Sequence, residues 1–121
     1  MVNEDYVSFE IAKLLKEKGF NWNTDKQFNL DKIVGDYNIT DRSRYPERYL
    51  DAPTLQMAMK WLRETFEIHC QIDCPIAASN WVYGIRDLNK DEWVTLRNMG
   101  DYETYEEACE AGIRYVLENL I

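Results

Sequence analysis

Thr104-Tyr-Glu-Glu-Ala-Cys-Glu-Ala-Gly-Ile-Arg-Tyr-Val-Leu-Glu-Asn-Leu-Ile121 is the stretch on which the fold turns. Thr104 and Glu107 have the spacing at which a hydroxyl accepts from the N3 backbone N–H while the acid reaches back to the cap, so a helix is expected to start at Thr104. Winding the segment at about 100° per residue places Tyr105, Cys109, Gly112, Ile113, Val116 and Leu120 on one stripe, with Leu117 at its edge. Glu106, Glu110, Arg114 and Glu118 fall opposite. Ordering such a segment costs at least as much as its single stripe recovers, so the helix needs a surface to cover.

The residues before it supply one. From Ile68 the hydrophobic period changes from 3.6 to 2: Ile68, Cys70, Ile72, Cys74 and Ile76 point one way, and His69, Gln71, Asp73 and Pro75 the other. Pro75 marks an end or an edge. Ala77-Ala78-Ser79-Asn80 is expected to turn the chain into a second strand, Trp81 to Leu88. Asn89-Lys90-Asp91-Glu92 then leads to a third, Trp93 to Met99, and Gly100 to Glu103 lead into the last helix. Connections this short require antiparallel neighbours. One apolar sheet face under helices is the α+β solution.

Working back toward the N-terminus, Ser8 caps a helix to Lys18 whose stripe is Ile11, Leu14 and Leu15 beside Val7. Lys13, Lys16 and Glu17 face outward. Gly19 suits a left-handed C′ position, with Phe20 closing over Leu15. Phe20 and Trp22, then Phe28 and Leu30, alternate with polar residues and suggest a short hairpin. Ile33 to Tyr37 reads as a strand or a turn. Thr40 to Leu50 lacks any period and contains Pro46, which predicts a loop. Ala52-Pro53-Thr54 opens a further helix to Phe66, with Leu55, Ala58, Met59, Leu62 and Phe66 inward and Trp61 widening the stripe. The expected order is α-β-β-α-β-β-β-α: three helices on one antiparallel sheet with one face covered, in a single domain spanning 1–121.

A length of 121 residues and 45% hydrophobic content are enough for a folded core without staples. Met1 to Tyr6 are polar and acidic, unlike a secretory leader, and no apolar run reaches the ~18 residues of a membrane span. A cytoplasmic protein with no membrane partner is expected. Three cysteines without framework spacing fit a reducing compartment. A formal charge of −8 works against sequence-independent nucleic-acid binding, which rests on phosphate neutralisation.

Candidate chemistry is sparse. His69, Cys70 and Cys74 are zinc-type residues, but on a strand His69 faces away from the thiols, and those lie about 13 Å apart at ~3.3 Å per residue. Neither a metal nor a cofactor is expected. Cys109 falls on the buried stripe of the last helix, as a core thiol would. Asp101, Glu103, Glu106, Glu107 and Glu110 are explained by capping and the helix dipole. No phosphate-cradling glycine loop, G-x-S-x-G or H-E-x-x-H occurs, so no catalytic residue is nominated. The candidate binding residues are Arg42, Arg44, Tyr45, Arg48 and Tyr49. Guanidinium and ring surfaces interleave there, as they do at protein hot spots and at stacked nucleic-acid contacts. Asp41, Glu47 and Asp51 offset the charge locally, as in a self-contained structural loop. The outward side of the meander, with His69, Gln71, Trp93, Thr95 and Arg97, is a second candidate surface.

Three passages carry a resemblance: residues 8–20 (Ser-Phe-Glu-Ile-Ala-Lys-Leu-Leu-Lys-Glu-Lys-Gly-Phe), 52–64 (Ala-Pro-Thr-Leu-Gln-Met-Ala-Met-Lys-Trp-Leu-Arg-Glu) and the closing 104–121. Together they resemble a group of small uncharacterised proteins of Bacteroides-type gut bacteria and their phages or integrated elements. Met57 departs from the group's frequent Gln, and Gly112 from its frequent Ala. The resemblance implies a phage or prophage accessory protein and supplies no catalytic residues. The expectation is therefore a non-catalytic protein acting by contact with a host or phage protein. The alternatives are a nucleic-acid-associated protein using the Arg42–Tyr49 segment, or an enzyme without a recognisable motif. Oligomeric state is left open, a homodimer included, because a second copy can cover an apolar face as readily as the chain itself.

Overall fold

A computed structural model of the chain describes residues 5–75 and 80–121. Its backbone divides into two compact units, Met1–Thr54 and Leu55–Ile121. Both combine helices with an antiparallel sheet, which makes the class α+β.

In the first unit, helix α1 (Phe9–Glu17) begins where Ser8 accepts from the Ile11 N–H at 3.3 Å. It closes as a Schellman turn: Gly19, at φ 98°, donates to the Lys16 carbonyl, and Phe20 donates to that of Leu15 at 2.9 Å. Val7, Ile11 and Leu15 are buried as the stripe requires, whereas Leu14 is half-buried and Ala12, outside the expected stripe, is buried. Strand β1 (Lys26–Phe28) lies between β2 (Val34–Gly35) and β3 (Leu50–Ala52), antiparallel to both. Asn29 sets the β1–β2 turn, its side chain accepting from Asp31 and Ile33 N–H at 2.9 and 3.0 Å. Phe9 meets Phe28 edge-on, and the Val7 N–H donates to the Pro53 carbonyl.

Two expectations for this unit are corrected. Phe20 and Trp22 form no strand, because the Phe20 N–H is already spent on closing α1; the hairpin is β1 with β2, one step later. The buried residues of β1 are Gln27 and Phe28, while Leu30 is 71% exposed. Thr40 to Leu50 is not a loop. Ile39–Arg44 form helix α2, Pro46–Arg48 a 3₁₀ turn, and Leu50 opens β3. Asn38 caps α2 by accepting from Thr40 and Asp41 N–H. No residue of α2 is buried, so no apolar period could announce it.

In the second unit, α3 (Leu55–Phe66) buries Leu55, Ala58, Met59, Trp61 and Leu62. Glu67, at φ 57°, turns the chain into β4 (Ile68–Asp73), which pairs with β5 (Trp81–Asp87) in the register Cys70 to Ile85. Two short strands share the other edge of β5: β6 (Glu92–Trp93) and β7 (Met99–Tyr102). The expected strand from Trp93 to Met99 is thus interrupted. Between β6 and β7 the Thr95 hydroxyl accepts from the Ile85 N–H at 3.0 Å, a side chain standing in for a ladder carbonyl. The sheet is also one of two, not the single sheet expected. Ile76 and the turn Ala77 to Ser79 lie outside the described residues.

Helix α4 (Tyr105–Asn119) covers this sheet. Thr104 caps it by accepting from the Glu107 N–H at 3.1 Å. Its buried face is Ala108, Cys109, Gly112, Ile113, Val116 and Leu117. Relative to the expected stripe, Leu117 replaces Leu120, which the helix end leaves half-buried. Tyr105 stacks edge-on against Trp81 of β5, and Gly112 lies over Tyr83. Among the described residues no helix is long and apolar enough to cross a membrane.

Candidate functional site

The segment 38–50 is held by its own polar contacts. The Arg42 Nε donates to the Tyr37 carbonyl at 3.1 Å, and the Tyr49 hydroxyl donates to the Asp41 carboxylate. That carboxylate, followed by burial, pushes the Tyr49 phenol above its ordinary range and keeps it protonated. Tyr37 and Tyr49 rings pack with centroids 5.2 Å apart. Arg48 lies 4.0 Å and Arg44 6.0 Å from the centre of the Tyr45 ring, so two guanidiniums attend one aromatic ring. The ion pairs Lys26–Asp36, Arg86–Asp91 and Arg114–Glu118 all lie outside this cluster. Its acids offset the charge of Arg44 and Arg48 without pairing with either among the described residues.

Tyr49 and Leu50 form a ridge between two clefts. One, of about 340 Å³, is lined by Lys16 and Ala12 of α1, Gln27 of β1, and Arg42, Pro46 and Asp51. Gln27 is only 2% exposed, and its amide nitrogen donates to the Thr24 carbonyl at 3.1 Å. Asp51 accepts from the Thr24 hydroxyl at 3.1 Å. The other cleft, of about 540 Å³, is lined by Phe9, Leu30 and Leu50 together with the cations Lys13, Lys16 and Arg48 and the acids Glu17 and Glu47. Cations beside apolar walls are the composition of a recognition surface.

Of the residues nominated from sequence, Arg42, Arg48 and Tyr49 line these clefts, while Arg44 and Tyr45 line neither and Tyr45 supplies the ring under the Arg48 guanidinium. Sequence reasoning missed Lys16 and Gln27. An outward-facing Lys16 is correct for α1 alone, and only the fold brings α2 and β3 alongside it. Gln27 occupies a polar position of an expected alternation, with nothing to mark it as buried.

The second unit holds the one histidine and all three cysteines. Cys70 and Cys109 are buried and influence one another, and burial pushes the Cys70 thiol up to about 12, which makes it a poor nucleophile at neutral pH. Burial, then the Arg63 and Arg86 charges, holds His69 below the usual imidazole range, and its Nδ1 has no hydrogen-bond partner among the described residues. His69, Cys70, Arg63 and Tyr105 border a small cleft of about 250 Å³. No group of three metal-ligating side chains occurs among the described residues. On the outer face, Trp93 is 36% exposed and lies between the Arg86 and Arg97 guanidiniums at 5.6 and 5.2 Å. Compared with family models, curated proteins and solved structures, the chain matches none.

Proposed function

We propose that this chain is a non-catalytic, cytoplasmic accessory protein of a phage or integrated element, and that it acts by binding a host or phage protein. The observation that carries the reading is that Tyr49 and Leu50 line two clefts in each of which cations outnumber acids. Arg48 is fixed over Tyr45 without an ion pair among the described residues, so its charge remains available to a partner at little further ordering cost. Arg and Tyr in this setting are the residue types that dominate protein interfaces. The likeness of residues 8–20, 52–64 and 104–121 to small proteins of Bacteroides-type phages and integrated elements supports the biological setting.

Affinity capture from lysate of a Bacteroides-type host, comparing the parent chain with an Arg44→Glu/Arg48→Glu variant, tests this. Both side chains are exposed and their contacts are with the Tyr45 ring, so the variant should lose no more than about 1–2 kcal/mol and remain folded. A protein retained by the parent and lost from the folded variant is the expected result. Recovery of the same proteins by both, or of none by either, would contradict the reading.

A further inference from the structure

We propose that the partner presents an acidic peptide segment, with a carboxylate seated between Lys16 and Arg42 and a large apolar side chain in the adjoining cleft. This rests on the reading that the chain binds a protein. Arg42 is already oriented: its Nε is committed to the Tyr37 carbonyl at 3.1 Å, which leaves the two terminal nitrogens of a fixed plane for a bidentate carboxylate. Lys16, exposed on α1 and without an ion pair among the described residues, supplies a second positive charge to the lining of the same cleft. Gln27 supplies a floor. With its amide nitrogen committed to Thr24, its carbonyl oxygen is the group left to accept a peptide N–H.

The neighbouring cleft shares Lys16, Tyr49 and Leu50 with the first, and its walls add Phe9 and the largely exposed Leu30. An occupant straddling the ridge must therefore carry charge and apolar bulk close together, as an acidic-hydrophobic peptide does. Single-stranded nucleic acid fits less well. Its bases need open ring faces, whereas Tyr45 has Arg48 at 4.0 Å and the Tyr49 ring is packed against Tyr37. Glu17, Glu47 and Asp51 around the clefts would also repel a phosphate at every residue more than carboxylates spaced by neutral residues.

The test is fluorescence anisotropy of the full chain with a labelled peptide, Gly-Ser-Glu-Leu-Asp-Phe-Ser-Gly, its Gln/Asn isostere, and a single-stranded DNA octamer. Saturable binding of the acidic peptide is expected, weakened ~10-fold or more in the isostere and by Arg42→Gln, and about 3-fold by Lys16→Gln. Because Arg42 also braces Tyr37, the exposed Lys16→Gln and a Leu30→Ser change serve as variants that should leave the melting temperature unchanged. No saturable binding, binding indifferent to Lys16 and Arg42, or tighter binding of the DNA would overturn the proposal. If capture from lysate succeeds while this peptide fails, the acidic-segment inference falls and partner binding survives.

Discussion

Gly84 and Gly112 show how differently two glycines of one unit are constrained. A Cβ on Gly84 would lie 2.9 Å from the Trp93 ring and 3.0 Å from the Arg97 backbone, where the chain between β6 and β7 crosses β5. Backbone cannot yield as a side chain can, so Gly84→Ala should cost about 1–3 kcal/mol. On Gly112 the same atom would meet Tyr83 at 3.5 Å, an ordinary contact, and an alanine would recover helix propensity worth about 0.5–1 kcal/mol. Urea denaturation of both variants should therefore give opposite signs; destabilisation by both would show that the α4 surface is tighter than described. The thiols differ in the same local way. At pH near 8, native alkylation followed by mass spectrometry should label exposed Cys74 and spare Cys70, held up near 12, and buried Cys109. Labelling of Cys70 in the folded protein would contradict its placement under α4.

At the scale of elements, what is legible in the sequence is what is local. Ser8, Gly19 and Phe20 specify both ends of α1 within a dozen residues, and each acts as its position requires. The α2 segment is illegible as a helix because it buries nothing; its one signal is the Asn38 cap, which a search for apolar periods passes over. The break between β6 and β7 is equally hidden, since Thr95 in an apparent strand gives no sign that its hydroxyl will occupy a ladder position. For the site, Arg42 to Tyr49 stand out by composition, whereas Lys16 and Gln27 join it only through tertiary packing. The Tyr49–Asp41 contact gives this element its own pH dependence. A phenol whose proton is held more tightly folded than unfolded contributes stability that is present below about pH 10 and lost as pH rises through the higher folded value. Urea denaturation at steps between about pH 9 and pH 11 should show stability falling through that range, and Tyr49→Phe should remove the part of the fall that Tyr49 contributes. An unchanged pH profile in the Phe variant would mean that the hydrogen bond does not hold the segment.

At the scale of the whole molecule, charge is distributed unevenly. The first unit carries eight Lys and Arg against ten Asp and Glu, and the second six against twelve. The cationic segment therefore belongs to the nearly balanced unit, and most of the net charge of −8 belongs to the other. Long-range steering by the acidic unit would slow approach of an acidic partner at low salt, so specificity must come from the short-range geometry around Tyr49 rather than from net charge. The direct measurement is amide hydrogen–deuterium exchange of the chain alone and in complex with the captured partner. Binding should protect residues 39–50 and the Lys13–Glu17 turn of α1, with the β6–β7 region unchanged. Protection confined to residues 55–121, leaving 39–50 exchanging as in the unbound chain, would contradict the assignment of the binding surface.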